Sequence, residues 1–268
     1  LGTGGGGDPY IATLMTRRAI TENGPVQMLM PEELDDDALV IACGNLGAPT
    51  VAIEKIMGAD QPAAAVLALE KHLGRQADAL IAFEAGGSNS MMPIYIAAML
   101  GRPIVDADGM GRAFPELQMV TFSVYGASSA PFALASEHGD TTILEIDDDA
   151  RAEYIARGIA IRMGARSAMA SYPMDGKTVQ RVAVPFTTTL CQAIGANLRE
   201  SRAGNQDPFD ELIDMLAMTH YGHAKVLISG TVTDLMRDTE GGYAVGKVII
   251  SNPEEPSLEI QFQNEFLR

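Results

Sequence analysis

Short β-like apolar runs alternate with segments of helical composition between about residues 26 and 165, and this alternation constrains the fold more than any other feature. It is typical of strands joined by crossover helices in a layered sheet. The predicted strands lie at residues 26–30, 38–43, 79–83 and 103–106. The predicted helices between them lie at residues 49–57, 61–73 and 89–100. The N-terminal part is therefore predicted to be a three-layer α/β domain.

The pattern then shifts to shorter β-rich pieces, followed by helices and a second group of strands. The β-rich pieces are predicted at residues 119–125, 132–136 and 141–146, and the helices at 151–163, 176–202 and 208–218. Pro185 should interrupt the helix at 176–202 because proline has no amide donor. Strands at 225–234, 243–251 and 258–262 indicate an antiparallel unit that forms part of a β-barrel. We therefore expect a three-layer α/β domain over residues 1–165, and a helical segment plus a barrel-like domain over 166–268.

The chain carries 19 basic and 35 acidic residues, for a formal charge of −16. This charge repels nucleic-acid phosphates and anionic lipid headgroups, which argues against both as partners. No apolar run reaches the roughly 20 residues that span a bilayer, and no signal-peptide layout begins the sequence. We expect a cytoplasmic protein. Because the sequence begins at Leu1 and ends within a predicted strand, we also expect the natural chain to extend beyond both ends.

Two glycine-rich clusters are candidates for a small-molecule site. The first, at residues 2–9, offers free amides to an anion, although a frayed terminus or a tight turn explains it equally well. The second, at residues 84–89, follows a predicted strand and opens a helix, and ligands bind beyond the carboxyl ends of parallel strands. Its polar side chains are also suited to simple helix capping. The candidate binding residues are Gly6, Gly7, Asp8, Glu84, Gly86, Gly87, Ser88 and Asn89.

The segment DADGMGRAFPE at residues 106–116 is the richest in charged groups. Asp106 and Asp108 point the same way if the chain is extended, which suits a divalent metal site or an acid–base pair. Arg112 is a candidate to hold a substrate carboxylate or to keep the two aspartates ionised, and Glu116 is a further candidate for substrate binding. A turn with surface charges is the alternative.

Histidine and cysteine give weaker signals. His220 and His223 lie three residues apart, which suits metal ligation on one helical face, but Gly222 between them favours a helix–strand junction instead. Cys43 and Cys191 lack the spacing of a disulfide framework or a thiolate zinc site. Either thiol is a nucleophile only with a base nearby, and both are otherwise typical buried small side chains.

These motifs together resemble the S-methyl thiohydantoin desulfurase-like family. The similarity spans nearly the whole chain, and its most specific part is the long segment at residues 106–116. The other matching motifs are GTGGGGDP at 2–9, Gly47-Ala48-Pro49, Glu84 with GGSN at 86–89, and Gln263-Asn264-Glu265. The resemblance implies an N-terminal three-layer α/β domain followed by a domain that contains a β-barrel. It also implies that family members continue past the Gln-Asn-Glu segment.

The resemblance implies a hydrolase-type activity in which water replaces sulfur on a thiohydantoin or hydantoin-like cyclic amide and a thiol is released. Such chemistry needs a carboxylate base, for which Asp106, Asp108 and Glu84 are the candidates, and a donor or metal that stabilises charge on the ring. A non-catalytic accessory role beside a hydantoinase or oxoprolinase-type protein is the main alternative. A nucleotide-using enzyme has only the glycine runs in its favour. We also expect a homo-oligomer.

Overall fold

The computed structural model describes residues 7–47, 51, 55 and 58–266, and it confirms the α/β class. The predicted helix at 49–57 lies largely outside the described residues. The helices, in chain order, are α1 (Pro9–Asn23), α2 (Gln61–Leu73), α3 (Gly87–Leu100), α4 (Thr121–Val124), α5 (Asp149–Arg162), α6 (Gly176–Val182), α7 (Thr187–Ala203) and α8 (Pro208–Ala217). The strands are β1 (Met28–Leu29), β2 (Leu39–Gly47), β3 (Ala79–Ala82), β4 (Ile104–Asp108), β5 (Phe132–Ala135), β6 (Thr141–Leu144), β7 (Arg166–Asp175), β8 (Val184–Pro185), β9 (Thr231–Glu240), β10 (Tyr243–Asn252), β11 (Glu255–Gln263) and β12 (Glu265–Phe266).

The large sheet is mixed. Its strand order is β1-β4-β3-β2-β7-β5-β6, with β8 paired to β4. The pairs β1–β4, β4–β3 and β3–β2 are all parallel, as the alternation of strands and helices predicts. Strand β7 is antiparallel to both β2 and β5, and β6 is antiparallel to β5. The sheet therefore extends past residue 165, where the sequence suggests a domain boundary, and that boundary stays a prediction.

Helices cover both faces of this sheet, which gives the predicted three layers. Along β2, Val40 and Ala42 pack into a core with α5 and α6, whereas Ile41 and Cys43 pack into a second core with α1, α2 and α3. All four side chains are fully buried, because successive residues of a strand point to opposite faces and both faces are covered. Cys43 is thus a core side chain, and burial raises the pKa of its thiol.

Two short helical pieces occupy the region of residues 117–124, and the strand predicted at 119–125 is wrong. Leu117–Met119 forms a 3-10 turn and α4 follows it, closed by hydrogen bonds from the amides of Val124 and Tyr125 to the carbonyls four residues earlier. Phe122 is fully buried and packs edge-on against Tyr172, with ring centroids 5.5 Å apart. The packing of this aromatic ring, rather than strand propensity, decides the local conformation.

Helix α1 follows the glycine run, and the sequence pattern did not predict it. Asp8 is its N-cap and accepts a hydrogen bond from the amide of Tyr10 at 2.7 Å, and Pro9 occupies the first helical position. Ala12, Thr16 and Ala19 face the core, and α1 packs on α3.

Among the described residues, no helix has the length and apolar character needed to cross a bilayer.

The C-terminal strands form a second, antiparallel sheet of order β12-β11-β10-β9. It contacts the first sheet through α5, where the Tyr243 hydroxyl donates to Glu153 Oε1 at 3.0 Å and the Arg157 guanidinium lies 3.9 Å from the Tyr243 ring centroid. Glu153 and Arg157 are both buried and form an ion pair. The predicted antiparallel unit is confirmed, and its closure into part of a barrel stays a prediction.

We expect Tyr243→Phe to lower the free energy of unfolding by about 1–2 kcal/mol, because it removes a hydrogen bond to a buried carboxylate. The measurement is urea denaturation, with Tyr154→Phe on the exposed side of α5 as the matched control. The control should change stability by less than about 0.5 kcal/mol. Equal stability of the two variants would contradict the role of this contact.

Candidate functional site

A cleft lies at the carboxyl ends of β2, β3 and β4, the edge at which ligands are expected in an open α/β sheet. Its other walls come from the loop after β4, from α5, from the start of β7 and from the segment between β11 and β12. The N-terminal half of the chain supplies the polar side chains Asn45, Glu84, Ser88, Asn89 and Glu116. The C-terminal half supplies Arg157, Arg166, Asn264 and Glu265.

The two glycine clusters meet at one end of this cleft. The carbonyl of Gly7 accepts a hydrogen bond from the amide of Ser88 at 3.0 Å, and a Cβ atom on Gly87 would lie 1.9 Å from that carbonyl oxygen. Glycine is therefore required at position 87 for this backbone approach. Gly7 and Ser88 line the cleft, and Gly86 is the N-cap of α3. Gly6 lies outside the described residues.

Glu84 follows β3 and is a buried carboxyl of the cleft wall. It is 5% exposed, and its Oε1 accepts a hydrogen bond from Asn89 Nδ2 at 2.7 Å. Removal from water raises its pKa to about 7, although the Asn89 amide and the backbone of Phe114 act in the opposite direction. Near neutral pH this carboxyl is therefore divided between its neutral and ionised forms.

Asp108 is the last residue of β4 and is the second buried carboxyl. Its Oδ1 accepts a hydrogen bond from the Gly111 amide at 2.8 Å, whereas Oδ2 is buried with no hydrogen-bond partner among the described residues. Burial raises its pKa to about 7, the backbone of Gly111, Met110 and Ala85 opposes the shift, and the charge of Glu84 adds to it. Asp108 does not line the cleft, so Glu84 is the member of this acid pair that a ligand in the cleft would contact.

Asp106 is occupied by a structural contact. Its Oδ1 accepts hydrogen bonds from the amides of Thr188 and Thr189 at 2.9 and 3.1 Å, and Oδ2 accepts one from the Thr189 hydroxyl. The carboxylate therefore satisfies free amides in the first turn of α7, whose positive end also favours an anion. Glu84 and Asp108 lie close enough for the charge of one to affect the other, whereas Asp106 bonds the start of α7.

The remaining charged candidates have different surroundings. Glu116 lines the cleft and accepts a hydrogen bond from Gln263 Nε2 at 3.2 Å. Arg112 donates to the Phe266 carbonyl at 2.8 Å and lies 4.6 Å from the Phe114 ring centroid, so it holds the last described strand rather than lining the cleft. Asp8 is exposed and caps α1.

Metal ligation is not supported by any cluster of described side chains. Within that part of the chain, no group of three or more His, Cys, Asp and Glu residues has an arrangement that could hold a metal ion. His220 and His223 are exposed, and the His220 ring packs on Tyr221 at 4.7 Å between centroids. Cys191 lies on α7, where burial and the charges of Asp108 and Asp106 raise the pKa of its thiol.

Sequence reasoning missed Asn45, Arg157, Arg166, Asn264 and Glu265 as wall residues. Asn264 and Glu265 belong to a motif that the resemblance had already singled out, and that motif was a usable signal. Arg166 opens a strand that the sequence pattern did not predict, and Arg157 lies on a correctly predicted helix without any local motif. Only their tertiary positions bring these two arginines to the cleft.

The contact between the glycine clusters is open to a direct test. Gly87→Ala should lower the free energy of unfolding by about 2 kcal/mol or more, because the new methyl group would overlap the Gly7 carbonyl. Gly158→Ala, in α5 with open space around it, is the control and should be neutral or stabilise by up to about 1 kcal/mol. Thermal and urea denaturation measure both. A Gly87→Ala protein as stable as the parent would contradict the close approach.

The raised pKa of Glu84 predicts a pH-dependent stability. The folded state holds this proton up to about pH 7, whereas the unfolded state releases it near pH 4.5. The stability that Glu84 contributes relative to Glu84→Gln should therefore fall by about 3 kcal/mol as pH rises from 4 to 8. Urea denaturation of both proteins at several pH values measures this difference.

Asp175→Asn is the control for that series. Asp175 caps α6, and its hydrogen bonds to Thr178 lower its pKa below the ordinary value of 3.8. Both its folded and unfolded forms are ionised above pH 5, so the difference between Asp175→Asn and the parent should be flat from pH 5 to 8. A flat Glu84→Gln difference over the same interval would mean that the Glu84 pKa is not raised.

Comparison with known proteins gives matches to two family models and to solved structures. The model of the S-Me-THD-like N-terminal domain matches residues 1–146, and that of the S-Me-THD-like C-terminal domain matches residues 147–268. A crystal structure of a protein from Chromobacterium violaceum aligns with a TM-score of 0.79 and 25% sequence identity, covering 99% of this chain and 72% of that chain. No curated protein matches. Since the two family models together cover the whole chain, this protein belongs to the S-Me-THD-like family.

Proposed function

We propose that this protein is a hydrolase-type enzyme that acts on a thiohydantoin or hydantoin-like cyclic amide. In this proposal it replaces the sulfur substituent of the ring by a water oxygen and releases a thiol. The observation that carries the proposal is the pair of buried carboxyls, Glu84 and Asp108, at the ends of adjacent strands, each with a pKa near 7. Membership of the S-Me-THD-like family supports the substrate class.

Glu84 is the proposed general base because it is the member of the pair that lines the cleft. A carboxyl with a pKa near the working pH is able both to take a proton and to return it, and such catalysis contributes about 10²- to 10⁴-fold to a rate. Asp108 is a positioning residue in this scheme. It keeps the second proton of the pair, so that Glu84 ionises without placing two charges together in an apolar interior.

In the proposed reaction, the ring carbon that bears sulfur is joined to a ring nitrogen by a C=N bond. Glu84 takes one proton from water while the water oxygen bonds to this carbon, and the C=N electron pair moves to the ring nitrogen. The remaining hydroxyl proton passes to that nitrogen as the C=O bond forms and the C–S bond breaks. The leaving thiolate takes the proton held by Glu84. The products are a cyclic amide and a thiol, and Glu84 is again ionised.

Asn45 is suited to recognise the ring itself. Its backbone amide and its Nδ2 donate to Asn89 Oδ1 at 2.9 and 3.2 Å. Asn89 in turn donates to Glu84, so the Asn45 side chain is held near the proposed base. Its own Oδ1 is buried without a hydrogen-bond partner among the described residues. A buried acceptor in the wall of a cleft suits the N–H of a cyclic amide, because an unsatisfied acceptor of this kind costs about 1–3 kcal/mol.

Asp106 and a metal ion have smaller parts in the proposal. The contacts of Asp106 with the start of α7 occupy both of its oxygens, so we assign it the positioning of that helix. A divalent ion would supply charge stabilisation on the ring, and we assign no side chain to it. The proposal therefore requires assays both with and without added divalent metal.

Glu84→Gln should lower kcat for thiol release by about 100-fold or more, because the amide cannot take a proton from water. The assay measures thiol release from a panel of thiohydantoins and their S-methyl forms, with and without divalent metal. Glu145→Gln is the matched control, since Glu145 is exposed and pairs with His72 away from the cleft. Retention of more than one-third of the parent kcat by Glu84→Gln would overturn the assignment of the base.

The accessory-subunit alternative predicts a different pattern. If the parent protein releases no thiol under any metal condition but raises the activity of a hydantoinase-type partner, the catalytic proposal fails and the accessory role replaces it. Binding of a hydantoin without any turnover would support the same conclusion.

A further inference from the structure

We propose that Arg166 is the residue that selects the substrate, by binding a carboxylate on the tail of the cyclic amide. This inference rests on the proposed function and refines it, because it adds an anionic tail to the substrate class. Sequence reasoning gave that role to Arg112, whose guanidinium instead contacts the Phe266 carbonyl and the Phe114 ring.

The main observation is that Arg166 is a half-buried cation in the cleft wall with no carboxylate of the described residues beside it. Its Nη1 donates to the Lys55 carbonyl at 3.2 Å, and no Asp or Glu of the described residues lies within ion-pair distance of its guanidinium. Burial lowers the pKa of its guanidinium. A cation held out of water in this way is costly unless an anion completes it.

Other arginines with low exposure are neutralised inside the protein. Arg157, the second arginine in the cleft wall, pairs with the buried Glu153, and Arg102 lies 3.6 Å from Glu70. The charge of Arg157 is therefore already used by the fold. Among the described wall residues, Arg166 is the cation that remains for a ligand, and the planar guanidinium suits two parallel hydrogen bonds to a carboxylate.

The backbone fixes Arg166 at this place. It is the first residue of β7 and pairs with Gly47, the last residue of β2. Gly47 has a φ angle of +149°, and a Cβ atom there would lie 2.4 Å from the Ala165 carbonyl and 3.0 Å from the Arg166 Cα. Glycine at position 47 thus lets β7 approach β2 closely. This approach carries the guanidinium to the same cleft as Glu84.

The test compares two S-methyl thiohydantoins of equal length, one with a carboxylate tail and one with the matching carboxamide. With the parent protein, kcat/KM should be at least about 10-fold higher for the carboxylate. Arg166→Gln should lower kcat/KM for the carboxylate by about 10- to 100-fold, mainly through KM, and should change the carboxamide value by less than about threefold.

Two further variants separate recognition from a general loss of structure. Arg166→Lys keeps the charge but not the paired donors, so its value for the carboxylate should lie between those of the parent and Arg166→Gln. Arg75→Gln removes an exposed surface ion pair with Asp78 and should leave both substrates unchanged. Equal losses on both substrates with Arg166→Gln, or no preference in the parent, would overturn the proposal.

Binding measurements keep this test independent of turnover. If no thiol is released from either substrate, the proposed function fails while the inference about Arg166 is still decided by calorimetry. The probes are then a hydantoin with a carboxylate tail and its carboxamide. Tighter binding of the carboxylate by at least about 10-fold, lost in Arg166→Gln, supports the inference, and equal binding of the two probes by the parent overturns it.

Discussion

The geometry of the site depends on the hydrogen bonds that the Asn89 side chain makes with two strand ends. Its Nδ2 donates to Glu84 after β3, while its Oδ1 accepts hydrogen bonds from Asn45 in β2. One amide in the first turn of α3 thus joins two strand ends to a helix. Because Glu84 is buried, its ionised form needs such donors. The Asn89 amide and the Phe114 backbone offset only part of the effect of burial, so the pKa of Glu84 is raised rather than lowered. The same contact therefore fixes the position of the proposed base and contributes to its acidity.

The antiparallel insertion of β7 gives the site its second half. A sheet built only from the predicted parallel strands would end with β2 at its edge, and the cleft would have no wall on that side. Strand β7 pairs along β2 and begins at Arg166, so the edge of β2 is covered and a cation arrives beside the strand ends. The family division after residue 146 assigns β7 to the C-terminal domain. Residues from both family domains thus meet in one cleft.

The sequence predicted regular elements well and their exceptions poorly. The apolar runs of β2 and β3 and the helix at 61–73 follow clear periodicity, and the structure confirms them. Strand β7 was not predicted, and Pro173 within it is a residue that argues against a central strand. The chain accommodates this proline where the register between β2 and β7 shifts, with Tyr172 at a φ angle of +47°. The segment at 119–125 has strand-like residues, but the burial of Phe122 favours the short helix α4 there. These outcomes depend on tertiary contacts that periodicity does not encode.

The same limit applies to the site. The sequence identified Glu84 and Asp108 by their positions after strands, but it gave Asp106 and Asp108 equal standing because they are two residues apart on β4. The difference between them comes from α7, whose first turn takes both oxygens of Asp106. Arg166 illustrates a related effect in the charge balance of the cleft. The carboxyls of Glu84, Glu116 and Glu265 line the cleft, and Arg157 is already paired with Glu153. An anionic tail would therefore meet repulsion elsewhere in the cleft and attraction at Arg166, which would fix the orientation of an asymmetric ring relative to Glu84.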